Sequence, residues 1–188
     1  PGFTTILSPK DLCMIDHLAQ LRNAGVDSMK IEGRVKSAYY AAVVTRAYHK
    51  EQQRLLRGQS REVSEPFVAE LWNVSHREFS TGFYFGDPDA VMPGSARYHQ
   101  PYRFLGTIGS RKSGGAYEVD VKNAISGGVT LEYLGPDVPV IADNGFILRD
   151  PDGNPAHQLT HHSGGTIEPG VPVEPGFIIR RRNETSEE

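Results

Sequence analysis

The sequence contains very little cysteine and no long apolar run. Its one cysteine among 188 residues, Cys13, excludes a disulfide framework and any metal site built only from cysteines of this chain, and it fits the reducing cytoplasm. No stretch approaches the roughly 18 apolar residues of a membrane-spanning helix, so we expect no membrane partner. The N-terminus lacks a starting methionine and a signal-peptide pattern, which favours a fragment or a processed chain.

The sequence also lacks a strong charge of one sign. Twenty Lys and Arg residues face 23 Asp and Glu residues, for a net charge of -3. This balance predicts no general attraction to nucleic acid. The hydrophobic content of 38% is sufficient for a packed core, which argues against disorder.

Proline and glycine are scarce in the first part of the chain. Only two of 13 prolines precede residue 61, and only four of 20 glycines precede residue 82. The first third is therefore typical of regular helices and strands, whereas the second half is rich in turns. We predict α/β structure followed by an all-β unit: final β/α units of a barrel in residues 1–60, a helical and aromatic connection in 61–96, a small β-barrel in 97–182 and a disordered tail in 183–188.

Hydrophobic periodicity predicts strand, helix, strand and helix within the first 56 residues. A β-prone run at residues 4–7 precedes Ser8, a suitable helix cap, and the apolar spacing then continues to a glycine stop at Gly25. A brief strand at 28–31 precedes a second helix capped by Ser37. This order is typical of a parallel sheet or barrel. Two such units cannot close a barrel, so we expect the missing N-terminal barrel portion to be a partner of this chain.

Charged residues follow the second predicted strand. In parallel α/β folds, substrate groups gather at such strand ends, so Glu32 is a candidate proton acceptor, and Arg34 and Lys36 are candidates to bind an anion. The alternative is that Glu32 pairs with Arg34 or with Lys30 at a barrel rim. Cys13 falls in the first turn of the first predicted helix, where the positive helix end favours a thiolate. The alternative is a small buried hydrophobe.

The middle segment contains the only tryptophan. Ser64 is a candidate cap for a short helix beginning at Glu65, and Trp72 is most simply a core or interface anchor in that helix. The rings of Phe79 and of residues 83–85 lie among acidic neighbours, which favours packing between the two units over stacking with bases.

The second half of the chain alternates β-prone runs with turns. The runs are 104–108, 116–122, 129–134, 138–142, 146–149 and 171–179, and they predict a small closed or nearly closed antiparallel barrel. Arg103, Arg111 and Lys112 are candidates for RNA contact. For His157, His161 and His162 an exposed loop is favoured over a metal site, and for residues 180–182 a solvated, frayed end is favoured over phosphate contact.

Several runs of the sequence resemble the collagenase-like peptidase family, the thirty-second of the peptidase families of unassigned catalytic type. The family includes proteases and proteins required for hydroxylation of tRNA and ribosomal RNA. The runs that carry the resemblance are Ser8–Asp16, Ala24–Arg34, Lys36–Ser37, Tyr39–Tyr40, Arg77–Phe83, Val121–Asn123, Leu131–Pro136 and Pro175–Arg180. The resemblance implies a larger protein, in which a TIM-like β/α barrel precedes a small β-barrel.

The resemblance also implies roles for particular residues. Cys13 occupies the position of the fourth cysteine that holds a [4Fe-4S] cluster in hydroxylation-type members, so it is a candidate ligand in an intact parent. One thiolate cannot hold a cluster, and we expect none in this chain alone. The resemblance places Glu32, Arg34 and Lys36 at the barrel mouth as candidate catalytic residues, and Tyr39 is a candidate substrate contact.

Three functions remain open. The leading hypothesis is that the parent is an iron–sulfur-dependent factor for hydroxylation of bases in tRNA or ribosomal RNA, in which the β-barrel positions the substrate. A second is a peptidase acting on unfolded polypeptide. The third is a binding module without activity of its own. The partner would accordingly be RNA or polypeptide.

Overall fold

The computed structural model describes residues 10–86 and 99–183. Within the chain, Pro1–Pro101 and Tyr102–Glu188 form two compact units. The predicted strand at 4–7, the proposed cap Ser8 and residues 184–188 of the predicted tail lie outside the described residues. In the described part of the chain, no helix is long and apolar enough to cross a membrane.

The first unit is built around one long helix. Its elements are β1 (Asp11–Leu12), a 3-10 turn (Ile15–His17), α1 (Leu18–Asn23), α2 (Ala38–Leu56), a 3-10 turn (Arg61–Val63), α3 (Glu65–Val68), a 3-10 turn (Ala69–Asn73) and β2 (Phe79–Ser80). The predicted cap of α2 is confirmed, because the Ser37 side chain accepts a hydrogen bond from the Tyr40 backbone N–H. One face of α2 is buried and forms much of the core of this unit: Tyr39, Val43, Val44, Ala47 and Glu51.

The first helix begins later than predicted. Asp11 and Leu12 are not helical but pair in parallel with Phe79 and Ser80. The Asp11 carboxylate binds Arg77, and this contact holds the segment extended. The predicted stop is confirmed, since Gly25 has φ +84° and its N–H donates to the Arg22 carbonyl.

The predicted strand at residues 28–31 is not a strand. The segment is irregular and exposed, and no described residue forms a β-ladder with it. A strand needs a neighbour to pair its backbone groups. The only parallel pairing in the described residues is the two-residue ladder of β1 with β2, and the assignment of this unit to a TIM-like barrel stays a prediction.

The middle segment differs from the prediction in two side chains. The short helix does begin at Glu65, but Ser64 does not cap it; its hydroxyl donates to the buried Glu51 carboxylate. Trp72 is 48% exposed, so it is not part of the core, and its role as an interface anchor stays a prediction. The 3-10 turn at Ala69–Asn73 changes the helical period to three residues per turn, so Leu71 and Val74 face inward instead. The rings of Phe83, Tyr84 and Phe85 are also exposed.

The second unit is a curled, antiparallel, seven-stranded half-barrel. Its strand order is β7-β6-β11-β3-β4-β10-β8, and a separate pair joins β5 to β9. In the described residues the outer strands β7 and β8 do not pair, so the sheet is open. The strands are β3 (Tyr102–Arg111), β4 (Tyr117–Val121), β5 (Ile125–Ser126), β6 (Leu131–Leu134), β7 (Ile141–Asp143), β8 (Ile147–Arg149), β9 (Gln158–Leu159), β10 (Thr166–Glu168) and β11 (Ile178–Arg182).

All six predicted β-prone runs overlap a strand, so the antiparallel all-β character is confirmed. The short strands β5, β9 and β10 were not predicted. The predicted frayed end at 180–182 is wrong, because all three residues belong to β11 and pair with β3, and Arg180 is only 1% exposed. A register shift between Ile179 and Arg180 breaks the alternation of faces. As a result, three consecutive residues, Ile178–Arg180, are all buried.

Candidate functional site

A cavity of about 500 Å³ in the first unit brings together four of the predicted site residues. Its lining includes Cys13, Glu32, Arg34 and Lys36. Further polar or aromatic side chains around it are Asp11, Tyr40, Tyr48, Arg77 and Tyr84. The cavity therefore joins a thiol, a carboxylate and basic groups in one place.

Cys13 lies between β1 and the following 3-10 turn, not at a helix N-terminus. Its backbone N–H donates to the Ser80 carbonyl over 2.9 Å, and the Tyr48 hydroxyl lies 3.9 Å from its sulfur. Burial raises the pKa of the Cys13 thiol, and hydrogen bonds from the Ile15 backbone and from Tyr48 offset this rise only in part. The predicted stabilisation of a thiolate by a helix end is thus wrong, because the first helix begins only after Cys13.

The Glu32 carboxylate is held by its own loop. It accepts hydrogen bonds from the backbone N–H groups of Arg34 and Gly33, at 2.9 and 3.1 Å, and it lies 3.8 Å from the Lys30 ammonium. The Arg34 N–H and then the Lys30 charge lower the pKa of Glu32. The carboxylate is therefore ionised at neutral pH and suited to accept a hydrogen bond. The predicted pairing with Lys30 is present.

Tyr40 supports the loop that carries Glu32 and Lys36. The Tyr40 hydroxyl donates to the Glu32 carbonyl at 3.4 Å, and the Lys36 ammonium lies 5.2 Å from the Tyr40 ring centre. A Cβ atom at Gly33 would stand 3.3 Å from the Tyr40 ring, tighter than an ordinary contact. The Lys36 ammonium also donates to the Ser75 carbonyl over 2.9 Å. These contacts fix the loop over the cavity.

Sequence reasoning missed three members of the site. Tyr40, Val44 and Tyr48 follow one another at intervals of four residues in α2, and all line the cavity; this helical spacing was a signal that could have found them. The Asp11–Arg77 ion pair, with 2.8 Å between Arg77 Nη2 and Asp11 Oδ1, was not predicted, since the two residues are 66 positions apart.

The remaining predicted site residues lie away from this cavity's lining. Tyr39 is buried, and its hydroxyl donates to the Asn73 carbonyl at 3.1 Å. In the second unit, Arg103 donates to the Asn123 side chain at 3.0 Å, and Arg111 lies 5.9 Å from the centre of the Tyr117 ring. Lys112 forms a 2.6 Å ion pair with Glu118. A substrate-binding role for these four residues stays a prediction.

The described residues contain no group of three or more His, Cys, Asp and Glu side chains placed to hold a metal ion. In the histidine-containing loop, His161 Nδ1 lies 3.0 Å from the Val121 carbonyl oxygen, while His157 and His162 are exposed. Within the part of the chain that is described, Cys13 is thus a single thiol beside a cavity.

Comparison with family models shows to which protein family this chain belongs. Residues 2–92 match the model of peptidase family U32, and residues 100–180 match the model of the peptidase family U32 C-terminal domain. The chain belongs to peptidase family U32. This membership confirms the resemblance inferred from the sequence runs.

Relatives in family U32 carry two kinds of name. The chain is 30% identical over 176 residues to tRNA hydroxylation protein P of Escherichia coli, an alignment that covers 92% of this chain and 35% of that protein. It is 45% identical over 82 residues to an uncharacterised protease of Methanocaldococcus jannaschii, covering 44% of this chain and 20% of the protease. It is 35% identical over 82 residues to a collagenase of Porphyromonas gingivalis, covering 43% of this chain and 23% of the collagenase. The chain thus spans between one fifth and about one third of these relatives.

Proposed function

We propose that the U32 protein containing this chain is an iron–sulfur-dependent factor for hydroxylation of bases in tRNA or ribosomal RNA, in which the half-barrel contributes to RNA binding. One observation carries the proposal: the alignment to the E. coli tRNA hydroxylation protein runs over 176 residues, more than either unit contains, so it includes parts of both. The alignments to the protease and the collagenase run over 82 residues each.

The cavity fits one ligand of such a cluster but not a whole cluster. A [4Fe-4S] cluster is held by four thiolates, and this chain offers Cys13 alone. A bound cluster would supply electron transfer. Because burial raises the pKa of the Cys13 thiol, ligation would have to release its proton. The other ligands would come from other parts of the parent protein.

The residues of this chain have separate roles in the proposal. The Tyr48 hydroxyl orients the Cys13 sulfur through its 3.9 Å contact. Arg34 and Lys36, on the loop over the cavity, bind an RNA phosphate. Glu32, whose pKa is lowered, remains a carboxylate and accepts a hydrogen bond from the base or ribose. These roles make the cavity the place where the RNA and the thiol meet.

The test uses the full-length parent, reconstituted anaerobically with iron and sulfide. We expect wild type to bind the cluster and to restore hydroxylated nucleosides in RNA of a deletion strain, as measured by mass spectrometry. Cys13→Ala should reduce both iron content and hydroxylation. Ser28→Ala, at an exposed position lining the same cavity, is the matched control and should leave both unchanged. A wild-type protein that stays free of iron after reconstitution would contradict the proposal.

A peptidase is the second candidate, favoured by the 45% identity to the archaeal protease. In that case, the ionised Glu32 carboxylate would orient water for attack on a peptide bond. The test is cleavage of gelatin by the iron-free parent. Cleavage that is abolished in Glu32→Gln and retained in Cys13→Ala would favour the peptidase over the RNA proposal.

A further inference from the structure

A second cavity in the first unit has an aromatic lining. It measures about 530 Å³ and is lined by Trp72, His76, Glu78, Phe79, His99, Gln100 and Pro101. Phe79 is the only one of these residues that also lines the cavity beside Cys13. The site proposed above uses none of the side chains that are particular to the second cavity.

Three rings of this cavity form a stacked row. The His76 and Phe79 rings are nearly parallel, with 4.2 Å between their centres and 10° between their planes. His99 follows His76 at 5.4 Å and 26°. His76, in the middle, is 5% exposed, whereas His99, at the end of the row, is exposed. The row therefore ends in a ring that solvent or a ligand can reach.

The backbone holds this row in place. His76 and His99 exchange two hydrogen bonds, from the His76 N–H to the His99 carbonyl at 3.1 Å and back at 2.8 Å. Phe79 belongs to β2, which pairs with β1. A ligand that stacks on the row thus meets rings that are already ordered, which lowers the entropic cost of binding.

Trp72 adds a further ring next to the row. It lies 5.6 Å from the Phe79 ring at an angle of 89° and is 48% exposed, unusual for so large an apolar side chain. Glu78 and Gln100 line the same cavity, and their carboxylate and amide groups are the types that hydrogen-bond the polar edges of a base. Flat apolar faces with polar groups at the edges match the chemistry of a nucleobase.

We propose that this cavity binds one unpaired nucleobase of an RNA substrate, stacked with the row of rings and with Trp72. The choice of RNA as the ligand rests on the proposed function. Among the described residues that line it, one is a carboxylate and none is Lys or Arg, so the base, rather than the phosphate, carries the interaction. Stacking on aromatic side chains is tolerant of sequence, so the site holds a base without selecting it strongly.

Binding at this cavity can be measured by tryptophan fluorescence, because Trp72 is the only tryptophan of the chain. The 188-residue chain is titrated with a short oligouridylate while Trp72 emission is recorded. We expect saturable quenching and an affinity that changes little between about 50 and 200 mM salt, since no phosphate contact dominates. His99→Ala should weaken binding roughly tenfold. Phe83→Ala removes an exposed ring that lines neither cavity and should bind like wild type.

Folding of each variant is checked by circular dichroism. If a labelled tRNA binds the chain but oligouridylate leaves Trp72 emission unchanged, the base site is wrong and the proposed function stands. Equal affinity in His99→Ala and wild type also overturns the base site. If a gelatin peptide quenches Trp72 emission and RNA does not, the cavity binds polypeptide, and the proposed base site is overturned as well. Failure of the proposed function is recognised separately, because the wild-type parent would then show no RNA hydroxylation activity.

Discussion

The Tyr48 hydroxyl is 3.9 Å from the Cys13 sulfur and accepts a 3.0 Å hydrogen bond from the Met14 backbone N–H. One hydroxyl of α2 therefore fixes both the thiol and the backbone that follows it. Its bond to sulfur lowers the pKa of the thiol against the larger effect of burial.

Tyr48→Phe should raise the pKa of Cys13 further, because the variant loses a donor that stabilises the thiolate. The rate of alkylation by iodoacetamide, followed as a function of pH, should shift to higher pH. Since Cys13 is the only cysteine, the reaction reports on this site alone. Tyr84→Phe, at an exposed position lining the cavity, is the control. A profile unchanged in Tyr48→Phe would mean that the hydroxyl does not act on the sulfur.

Glu51 should make the stability of the first unit depend on pH. The carboxylate is buried and is bound by Arg54, Ser64 and Arg61. Burial raises its pKa, but the bonds from Arg54 and Ser64 and the charges of Arg61 and Arg54 outweigh burial, so the net pKa is below the ordinary value of 4.5. The stabilisation is therefore present above pH 4.5 and is lost as the pH falls through the lowered folded-state pKa.

Glu51→Gln should accordingly lower the free energy of unfolding at pH 7 by about 2 kcal/mol, because it removes the buried carboxylate that binds the half-buried Arg54 guanidinium. At acid pH the difference from wild type should shrink. Urea unfolding followed by Trp72 emission measures this in the first unit. Glu62→Gln, at an exposed position, should differ little from wild type at either pH. An equal loss at both pH values in Glu51→Gln would contradict the assignment.

Arg180 should be needed for stability of the half-barrel. Its guanidinium is 1% exposed, lies 2.7 Å from the Glu132 carboxylate and stacks at 3.8 Å from the centre of the Tyr102 ring. Removing one partner of a buried pair leaves the other charge uncompensated, so Arg180→Ala should cost about 3–5 kcal/mol. Circular dichroism in urea checks this. Arg182→Ala, two residues on and exposed, should change stability by less than about 0.5 kcal/mol.

The basic residues of β3 and its turn should contribute unequally to RNA binding. Lys112 already pairs with Glu118, whereas Arg103 and Arg111 are exposed beside neutral partners. Each of Arg103→Ala and Arg111→Ala should reduce by about one the slope of log affinity against log salt for labelled tRNA, and Lys112→Ala should change it less. Lys122→Ala is a control, because Lys122 is paired with Asp120. Equal slopes in all variants would place phosphate contact elsewhere.

The sequence predicted the second unit better than the first, for a physical reason. Antiparallel strands such as β3 and β4 lie close in the sequence, and alternation such as Val119 and Val121 reports which face is buried. The segment at 28–31 was predicted as a strand, but strand formation depends on pairing with neighbours that no local pattern describes. Arg180 was misjudged as part of a frayed end because its partners in the fold, Glu132 and Tyr102, are distant in the sequence.

In the candidate site, continuous runs of the sequence supplied residues that lie around one cavity, while their catalytic and binding roles stay predictions. Cys13, Glu32, Arg34 and Lys36 were all chosen from the sequence, and all line one cavity. What local sequence did not supply was the set of long-range partners, such as Arg77 for Asp11. The stacked pair of His76 and His99 was missed for the same reason, since the two rings are 23 positions apart and come together only when their backbones pair.

The place of β11 in the sheet has a consequence for biosynthesis. This strand is late in the chain, yet it lies between β6 and β3. During translation the ribosome therefore releases β3 and β6 well before β11. The edges of β3 and β6 that pair with β11 remain unpaired until β11 has been synthesised. A message truncated before the codon for Ile178 would yield a nascent chain whose half-barrel cannot assemble, and quality-control proteases should remove it.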